Sequence, residues 1–155
     1  MSDDPISELE AGIADLVRRG RIRTQRRSRA IDPDLDPSCY PLISMLSHHD
    51  SVPTSTLVAD LGLDKSTVTR QIDSIVRLGL ATRRPDPHDG RARLVTLTET
   101  GRERVDAVTS QSLADWRARL AKWDPADVRT LTELLNRLIE DDSPSPEGTA
   151  AKPIG

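Results

Sequence analysis

Residues 52–101 decide the fold, and they run VPTSTLVADLGLDKSTVTRQIDSIVRLGLATRRPDPHDGRARLVTLTETG. Apolar residues recur at helical spacing in two short segments, residues 53–64 and 65–79. Two further segments with strand character then flank a cluster of turn residues. This order predicts a helix-turn-helix with a hairpin beside it. Such a unit can place its second helix in the major groove of duplex DNA.

Capping residues mark the ends of these helices. Gly62 and Gly79 each follow an apolar run, and glycine tolerates the left-handed conformation that often ends a helix. Asp64 is a good N-cap for the second helix, and Thr98 is one for the helix after the hairpin. We therefore expect the helix-turn-helix to span residues 52–79.

The predicted second helix has two chemically different faces. One side carries apolar residues at spacings of four, three and one, which indicates a buried face: Val68, Ile72, Ile75 and Val76. The opposite side carries hydroxyl, amide and cationic groups, which contact base edges and phosphates in DNA complexes. Taken alone, these polar residues would also fit a solvated helix face. The candidate DNA-contacting residues of this helix are Lys65, Ser66, Thr67, Thr69, Arg70, Gln71, Ser74 and Arg77.

The predicted hairpin, residues 80–98, is cationic. Residues 85–90 form a dense turn, and the returning strand alternates apolar residues toward a core. Its arginines can meet phosphates or the minor groove. Asp89 fits a role in shaping the tip, by pairing with an arginine or capping the turn, better than a contact with DNA. The candidate hairpin residues are Arg84, Asp89, Arg91 and Arg93.

This stretch resembles the MarR family of winged helix-turn-helix transcriptional regulators. The segment LGLATRRPDPHDGRARLVTLTETG has the family's Gly-Leu step, its Asp-x-Arg wing tip at Asp89 and Arg91, and its Leu-Thr-x-x-Gly helix start. Helix lengths and order extend a weaker resemblance over residues 5–142. The resemblance implies a mainly α (α+β) fold, a winged helix-turn-helix with flanking N- and C-terminal dimerisation helices.

The resemblance also implies a function. Family members are sequence-specific regulators that bind double-stranded DNA, most often as repressors. They form two-fold homodimers that occupy palindromic operators. A small effector, often aromatic or phenolic, commonly releases them, and the sequence does not identify the residues that would bind it.

Helical patterns continue outside the winged helix-turn-helix. Residues 5–30 and 99–142 are the expected dimerisation helices, because their apolar stripes have no obvious partner within the helix-turn-helix and wing. One DNA-binding domain over residues 5–142 follows from this organisation. Residues 143–155 are rich in Pro, Gly and Ser, and we expect a disordered tail there.

The 155 residues suit one domain, and their net charge of −3 is unevenly distributed. Residues 65–93 hold seven Lys or Arg against three Asp. Local charge matters most, because salt screens charges over about 8 Å. Residues 18–29 hold seven Arg and no acid. Two interpretations stay open for these arginines, a solvated helix end and a phosphate-contacting patch.

Composition narrows the location and the partners. No apolar run is long enough to span a bilayer, and the acidic first residues lack the pattern of a secretory signal. A single cysteine excludes an internal disulfide. We therefore expect a cytoplasmic protein without a membrane partner. The scarcity of aromatic residues disfavours binding to single strands, which relies on base stacking.

Other classes of function use different residues. A redox sensor on the same fold would use Cys39, but nearby acids disfavour a reactive thiolate. A metal sensor could use His48 and His49, but the paired ligand spacing of metal sites is missing. A change in DNA affinity with peroxide or a chelator would favour these sensors. A winged-helix protein-interaction module without DNA binding is the remaining class, and the basic wing argues against it. We expect no enzyme, no metal and no cofactor, because no catalytic spacing or phosphate loop appears.

Overall fold

The structure, a computed structural model, describes residues 4–141. The chain divides at residue 111 into two compact units. The expected mainly α fold with a small sheet is confirmed. The helices are α1 (Pro5–Ile31), α2 (Tyr40–Ser47), α3 (Thr54–Leu61), α4 (Lys65–Arg77), α5 (Glu99–Leu120) and α6 (Pro125–Asp141), with a short 3-10 helix at Pro37–Cys39. The strands are β1 (Val52–Pro53), β2 (Ala81–Pro85) and β3 (Arg93–Leu97).

The three strands form one antiparallel sheet in the order β1-β3-β2. The β2–β3 hairpin is the predicted wing, with Ala81 opposite Leu97 at its base and Pro85 opposite Arg93 toward its tip. Strand β1 has no counterpart among the elements predicted from the sequence. Val52 pairs there with Val95 and adds a third strand at the base of the wing.

The hydrophobic core of the first unit lies where α2, α3 and α4 meet the sheet. The predicted inner face of α4 is confirmed, because Val68, Ile72 and Ile75 are fully buried and Val76 packs partly buried against the core. This burial fixes which side of α4 remains available to a ligand. The residues at the centre of the core are Leu42, Ile43, Leu46, Leu57, Val68, Ile72, Ile75, Leu80, Val95 and Val105.

The predicted helix ends are also confirmed. Gly62 and Gly79 have φ values of 61° and 74°, in the left-handed region that glycine adopts without strain. The N–H of Leu80 donates to the carbonyl of Ile75 at 2.9 Å, closing the last turn of α4. Asp64 caps the start of α4 by accepting from the backbone N–H of Thr67.

Helix α5 begins directly against the end of α4. The Thr98 hydroxyl donates to the carbonyl of Gly79 at 2.6 Å and accepts from the N–H of Gly101 at 2.9 Å. The Thr98 N–H donates to the carbonyl of Leu80 at 3.0 Å. A Cβ at position 101 would lie 2.0 Å from that same carbonyl oxygen. Glycine is therefore required at position 101 for this close approach.

Two arginines join the start of α5 to the ends of other helices. Arg102 donates to the carbonyls of Ser47, the last residue of α2, at 3.2 Å and of His49 at 3.0 Å. Arg104 pairs with Asp32, the C-cap of α1, at 2.9 Å. These contacts and the Thr98 cap hold α1, α2, α4 and the first turns of α5 together as one unit.

Large apolar side chains remain exposed on the outer helices. In the first unit they lie on α1, and in the second unit they lie on the second half of α5 and on α6. The observed α1, α5 and α6 occupy the two segments predicted as dimerisation helices, and the predicted tail lies outside the described residues. The exposed apolar residues are Ile6, Leu9, Ile13, Leu16, Val17 and Ile22 on α1, Leu113 and Trp116 on α5, and Leu131, Leu134, Leu135, Leu138 and Ile139 on α6.

None of the helices within residues 4–141 combines the length and the apolar character needed to cross a lipid bilayer.

Candidate DNA-binding surface

Helix α4 presents its polar side chains to solvent next to the wing. Lys65, Ser66 and Arg70 are exposed in its first two turns, and Arg77 is exposed in its last turn. Arg70 makes a long contact of 3.4 Å to the Thr67 hydroxyl and is otherwise directed into solvent. The cationic and hydroxyl groups expected at the start of this helix therefore share one accessible surface.

The hydroxyl groups of this surface already donate their hydrogens within the protein. Asp64 accepts from the hydroxyl of Ser66, and from the hydroxyl and backbone N–H of Thr67 at 2.6 and 2.8 Å. The Thr69 hydroxyl donates to the carbonyl of Lys65 at 2.8 Å. These hydrogen bonds hold the pKa of Asp64 far below its usual range, and the bond from the Ser66 hydroxyl contributes most. The capping carboxylate of Asp64 therefore stays charged. The hydroxyl oxygens keep their lone pairs and can serve as acceptors toward a ligand.

Gln71 is not part of this surface. Its side chain is 8% exposed, and its Nε2 donates to the carbonyl of Ser38 at 3.1 Å. Its Oε1 is buried without a hydrogen-bond partner. Our assignment of Gln71 to the DNA-contacting set was therefore wrong. Ser74 also departs from the predicted outer face, because it is half-buried and close enough to Cys39 to influence the thiol.

Carboxylates shape the tip of the wing. Asp86 accepts from the N–H of His88 at 2.8 Å, and Asp89 accepts from the N–H of Arg91 at 3.0 Å. The sequence left two roles open for Asp89 in shaping the tip, an ion pair with an arginine and a capped turn. The bond from the N–H of Arg91 is that of a capped turn. The side chains of Arg84, Arg91 and Arg93 are exposed, and none of them forms an ion pair within residues 4–141.

A cleft of about 730 Å³ lies between helices α3 and α4 on one side and the wing on the other. Its floor is apolar, and cations from both sides line it. Arg83, which the predicted set omits, extends across it from β2 to Asp73 on α4, with 2.5 Å between Nη2 and Oδ1. The lining residues are Thr54, Ser55, Val58, Lys65, Thr69, Ile72, Asp73, Arg83, Asp89, Arg91, Ala92 and Arg93.

Cys39 lies in the core at the end of the 3-10 helix and is 2% exposed. Burial and, secondly, the nearby Asp36 carboxylate raise the pKa of the Cys39 thiol, while the Ser38 and Ser74 hydroxyls offset this in part. A protonated thiol is a poor nucleophile, which disfavours a redox sensor. Within the part of the chain that the structure describes, no cluster of three or more His, Cys, Asp or Glu could hold a metal ion.

Known proteins resemble this chain in sequence over the residues that form the helix-turn-helix and most of the wing. A model of the MarR family matches residues 34–92. YdgJ of Bacillus subtilis, an uncharacterised HTH-type transcriptional regulator, is 31% identical over 104 residues, which are 67% of this chain and 63% of that protein. The chain thus spans slightly less than two thirds of YdgJ. YxaD, another such regulator of Bacillus subtilis, is 27% identical over 137 residues, which are 88% of this chain and 94% of that protein.

Solved structures have the same fold. A MarR family transcriptional regulator from Streptomyces coelicolor is 26% identical and superimposes with a TM-score of 0.60 over 86% of this chain and 94% of its own. A MarR transcriptional regulator from Methanosarcina mazei is 23% identical, with a TM-score of 0.70 over 87% and 96% of the two chains. The family match, the related sequences and the solved structures agree: the chain has the winged helix-turn-helix fold of the MarR family and resembles its HTH-type transcriptional regulators.

Proposed function

We propose that this protein is a homodimer that binds a palindromic operator in double-stranded DNA and represses transcription until an effector releases it. Helix α4 enters the major groove of each half-site, and the wing meets the adjacent backbone or minor groove. The effector is a small, aromatic or phenolic molecule of the kind that regulators of this family commonly bind. It releases the operator only to the extent that it binds the DNA-free conformation more tightly.

Exposed cations on both sides of the cleft carry this proposal. Lys65 lines the cleft from α4, while Arg91 and Arg93 line it from the wing. Arg70 is exposed on the same helix as Lys65, outside the cleft. The two grooves of a duplex are separated by a phosphate backbone, so a protein with one element in each groove must accommodate phosphates between them. The cationic cleft between α4 and the wing suits that backbone in position and in charge.

Helix α4 and the wing make chemically different contacts with DNA. Arg70 has the geometry to bond a guanine edge through two donors, and the Ser66 and Thr67 oxygens can accept from the amino groups of adenine or cytosine. The remaining cations meet phosphates, and Asp89 keeps the wing tip in shape. The proposed DNA-contacting residues are Lys65, Ser66, Thr67, Thr69, Arg70, Arg77, Arg84, Arg91 and Arg93.

We expect the protein to be a dimer without DNA. The exposed apolar residues of α1 and α6 would lose contact with water in an interface with a second chain, which favours association. Sedimentation at micromolar concentration should give about twice the mass of one chain. Leu134→Glu should shift the equilibrium toward monomer, whereas Glu133→Gln next to it should not. A monomeric wild type would exclude the homodimer and the palindrome with it.

The preferred site should be an inverted repeat with half-site centres one helical turn apart, about 10 base pairs. Selection of bound sequences from a random pool of duplexes measures this directly, since the enriched motif shows its own symmetry. The affinity for the enriched duplex should fall steeply with salt, because cations that bind phosphates release counterions. A salt-insensitive interaction, or a pool without enrichment, would instead support a protein-interaction module.

A further inference from the structure

Two oppositely charged residues join the wing to α4. Arg83 leaves β2 and places its Nη2 2.5 Å from Asp73 Oδ1, and the same nitrogen lies 3.5 Å from the carbonyl oxygen of Thr69. The side chains are 34% and 53% exposed, and both line the cleft. The Asp73–Arg83 pair thus connects strand β2 to the middle of α4.

Asp73, the acid of this pair, puts a negative charge on a surface that is proposed to bind DNA. The other basic residues that line the cleft are Lys65, Arg91 and Arg93, and they form no ion pair within the described residues. Asp73 lowers the positive potential of this surface and repels phosphates. A contact with DNA therefore does not account for Asp73, whereas its bond to Arg83 does.

The wing needs such a bond because its outer part has little other support. Strand β1 pairs with β3 only at Val95 and Leu94, so the sheet has two strands toward the tip. A two-stranded ribbon is marginally stable by itself and twists readily. Arg83 pairs with Val95 in the three-stranded part of the sheet, from which the two-stranded tip extends. The Asp73–Arg83 contact thus fixes the support of the tip at one angle to α4.

We propose that Asp73 and Arg83 are positioning residues, which hold the wing at the angle where α4 and the wing engage the same half-site. Neither side chain touches DNA. This inference rests on the proposed function, because it assumes that both elements bind one duplex. Loss of the pair lets the wing move, so it weakens discrimination between sequences more than it weakens overall attraction to DNA.

The isosteric change Asp73→Asn tests the proposal by the sign of its effect. The probes are a duplex enriched from a random pool and a scrambled duplex of equal length and composition. Removal of an anion from this surface should strengthen binding to both duplexes if Asp73 acts only through its charge. We expect instead that the ratio of the two affinities falls by about tenfold, as for the loss of one good base contact. The matched control is Asp60→Asn, which removes an exposed charge from α3 and should leave the ratio unchanged.

Arg83 variants separate positioning from contact with DNA. Arg83→Gln should lower the same affinity ratio without changing the salt dependence, because a side chain that does not touch phosphate releases no counterions. Asp73→Asn combined with Arg83→Gln should be no worse than Arg83→Gln alone, since both changes break one interaction. Arg83→Lys should restore part of the ratio. Thermal melting checks that each variant is folded, and hydroxyl-radical footprinting should show weaker protection under the wing.

An unchanged affinity ratio in Asp73→Asn, or equal strengthening of both duplexes, would overturn the proposal. A reduced salt dependence in Arg83→Gln would make Arg83 a phosphate contact and would overturn it as well. These outcomes leave the proposed function intact. Failure of the proposed function has a different result, since the wild type would then enrich no sequence from the random pool.

Discussion

Gly101→Ala is expected to destabilise the protein by about 3 kcal/mol and to lower the midpoint of thermal unfolding by roughly 6–12 °C. The added Cβ would lie 2.0 Å from the carbonyl oxygen of Leu80 and 2.8 Å from its carbonyl carbon. Both are backbone atoms, and the oxygen already accepts from Thr98. No side-chain rotation relieves the overlap, so α5 must move away from the end of α4.

Gly12→Ala is the matched control for this substitution. Gly12 lies inside α1, and a Cβ there would meet nothing within 4 Å. Alanine favours a helix over glycine by about 0.5–1 kcal/mol, so this variant should melt slightly higher than the wild type. Melting must be compared at one chain concentration, because dimerisation would make the midpoint depend on it. Equal melting of Gly101→Ala and the wild type would show that the start of α5 is not fixed against Leu80.

Arg70→Ala and Arg91→Ala are expected to weaken DNA binding in different ways. Arg70 lies on the exposed face of α4, within the first two turns that can reach base edges. Its loss should cost about 1–3 kcal/mol on the preferred duplex and relax the preference at one position per half-site. A scrambled duplex should lose less, because it offers Arg70 no matching base.

Arg91 should act through charge, since it extends from the tip that Asp89 shapes. Its loss should weaken preferred and scrambled duplexes to a similar extent. The slope of log affinity against log salt should fall by about one unit per arginine, and so by about two units per dimer. Titration of both alanine variants against both duplexes at several salt concentrations distinguishes the two behaviours.

Lysine variants provide the controls for these two arginines. Arg91→Lys keeps the charge and should keep the salt slope. Arg70→Lys should recover binding to the scrambled duplex but not the base preference, because lysine lacks the planar, two-pronged donor geometry of arginine. If Arg91→Ala kept full affinity and full salt slope on both duplexes, the wing would not bind DNA, and the proposed docking would be wrong.

The sequence predicted those parts of the fold that depend on neighbouring residues. Asp64 caps α4 and Gly79 ends it, because capping depends on side chains within a few positions. The buried face of α4 followed from its apolar spacing. The Thr-x-x-Gly pattern located the start of α5, although only the structure shows that Gly101 is needed for contact with Leu80.

Features that join distant segments escaped prediction. Strand β1 is two residues long, and its pairing with Val95 leaves no periodic pattern in the sequence. Gln71 belongs by spacing near the outer face, yet its amide bonds a carbonyl 33 positions away. Arg83 resembles any other arginine of a basic hairpin until Asp73 is found beside it. In each case tertiary packing determines the partner, and the local periodicity of the sequence carries no information about such packing.

The partly buried hydrogen bond from Gln71 to the Ser38 carbonyl bears on protein engineering. A common way to alter operator preference is to graft a foreign recognition helix onto an existing scaffold. Here α4 is not freely portable, because one of its side chains completes the hydrogen bonding of a segment outside the helix-turn-helix. A transplanted helix with an apolar residue at this position would leave that carbonyl unsatisfied if it stayed buried, at a cost of about 1–3 kcal/mol. Redesign of specificity in this protein should therefore vary the exposed positions of α4 and retain Gln71 as part of the scaffold.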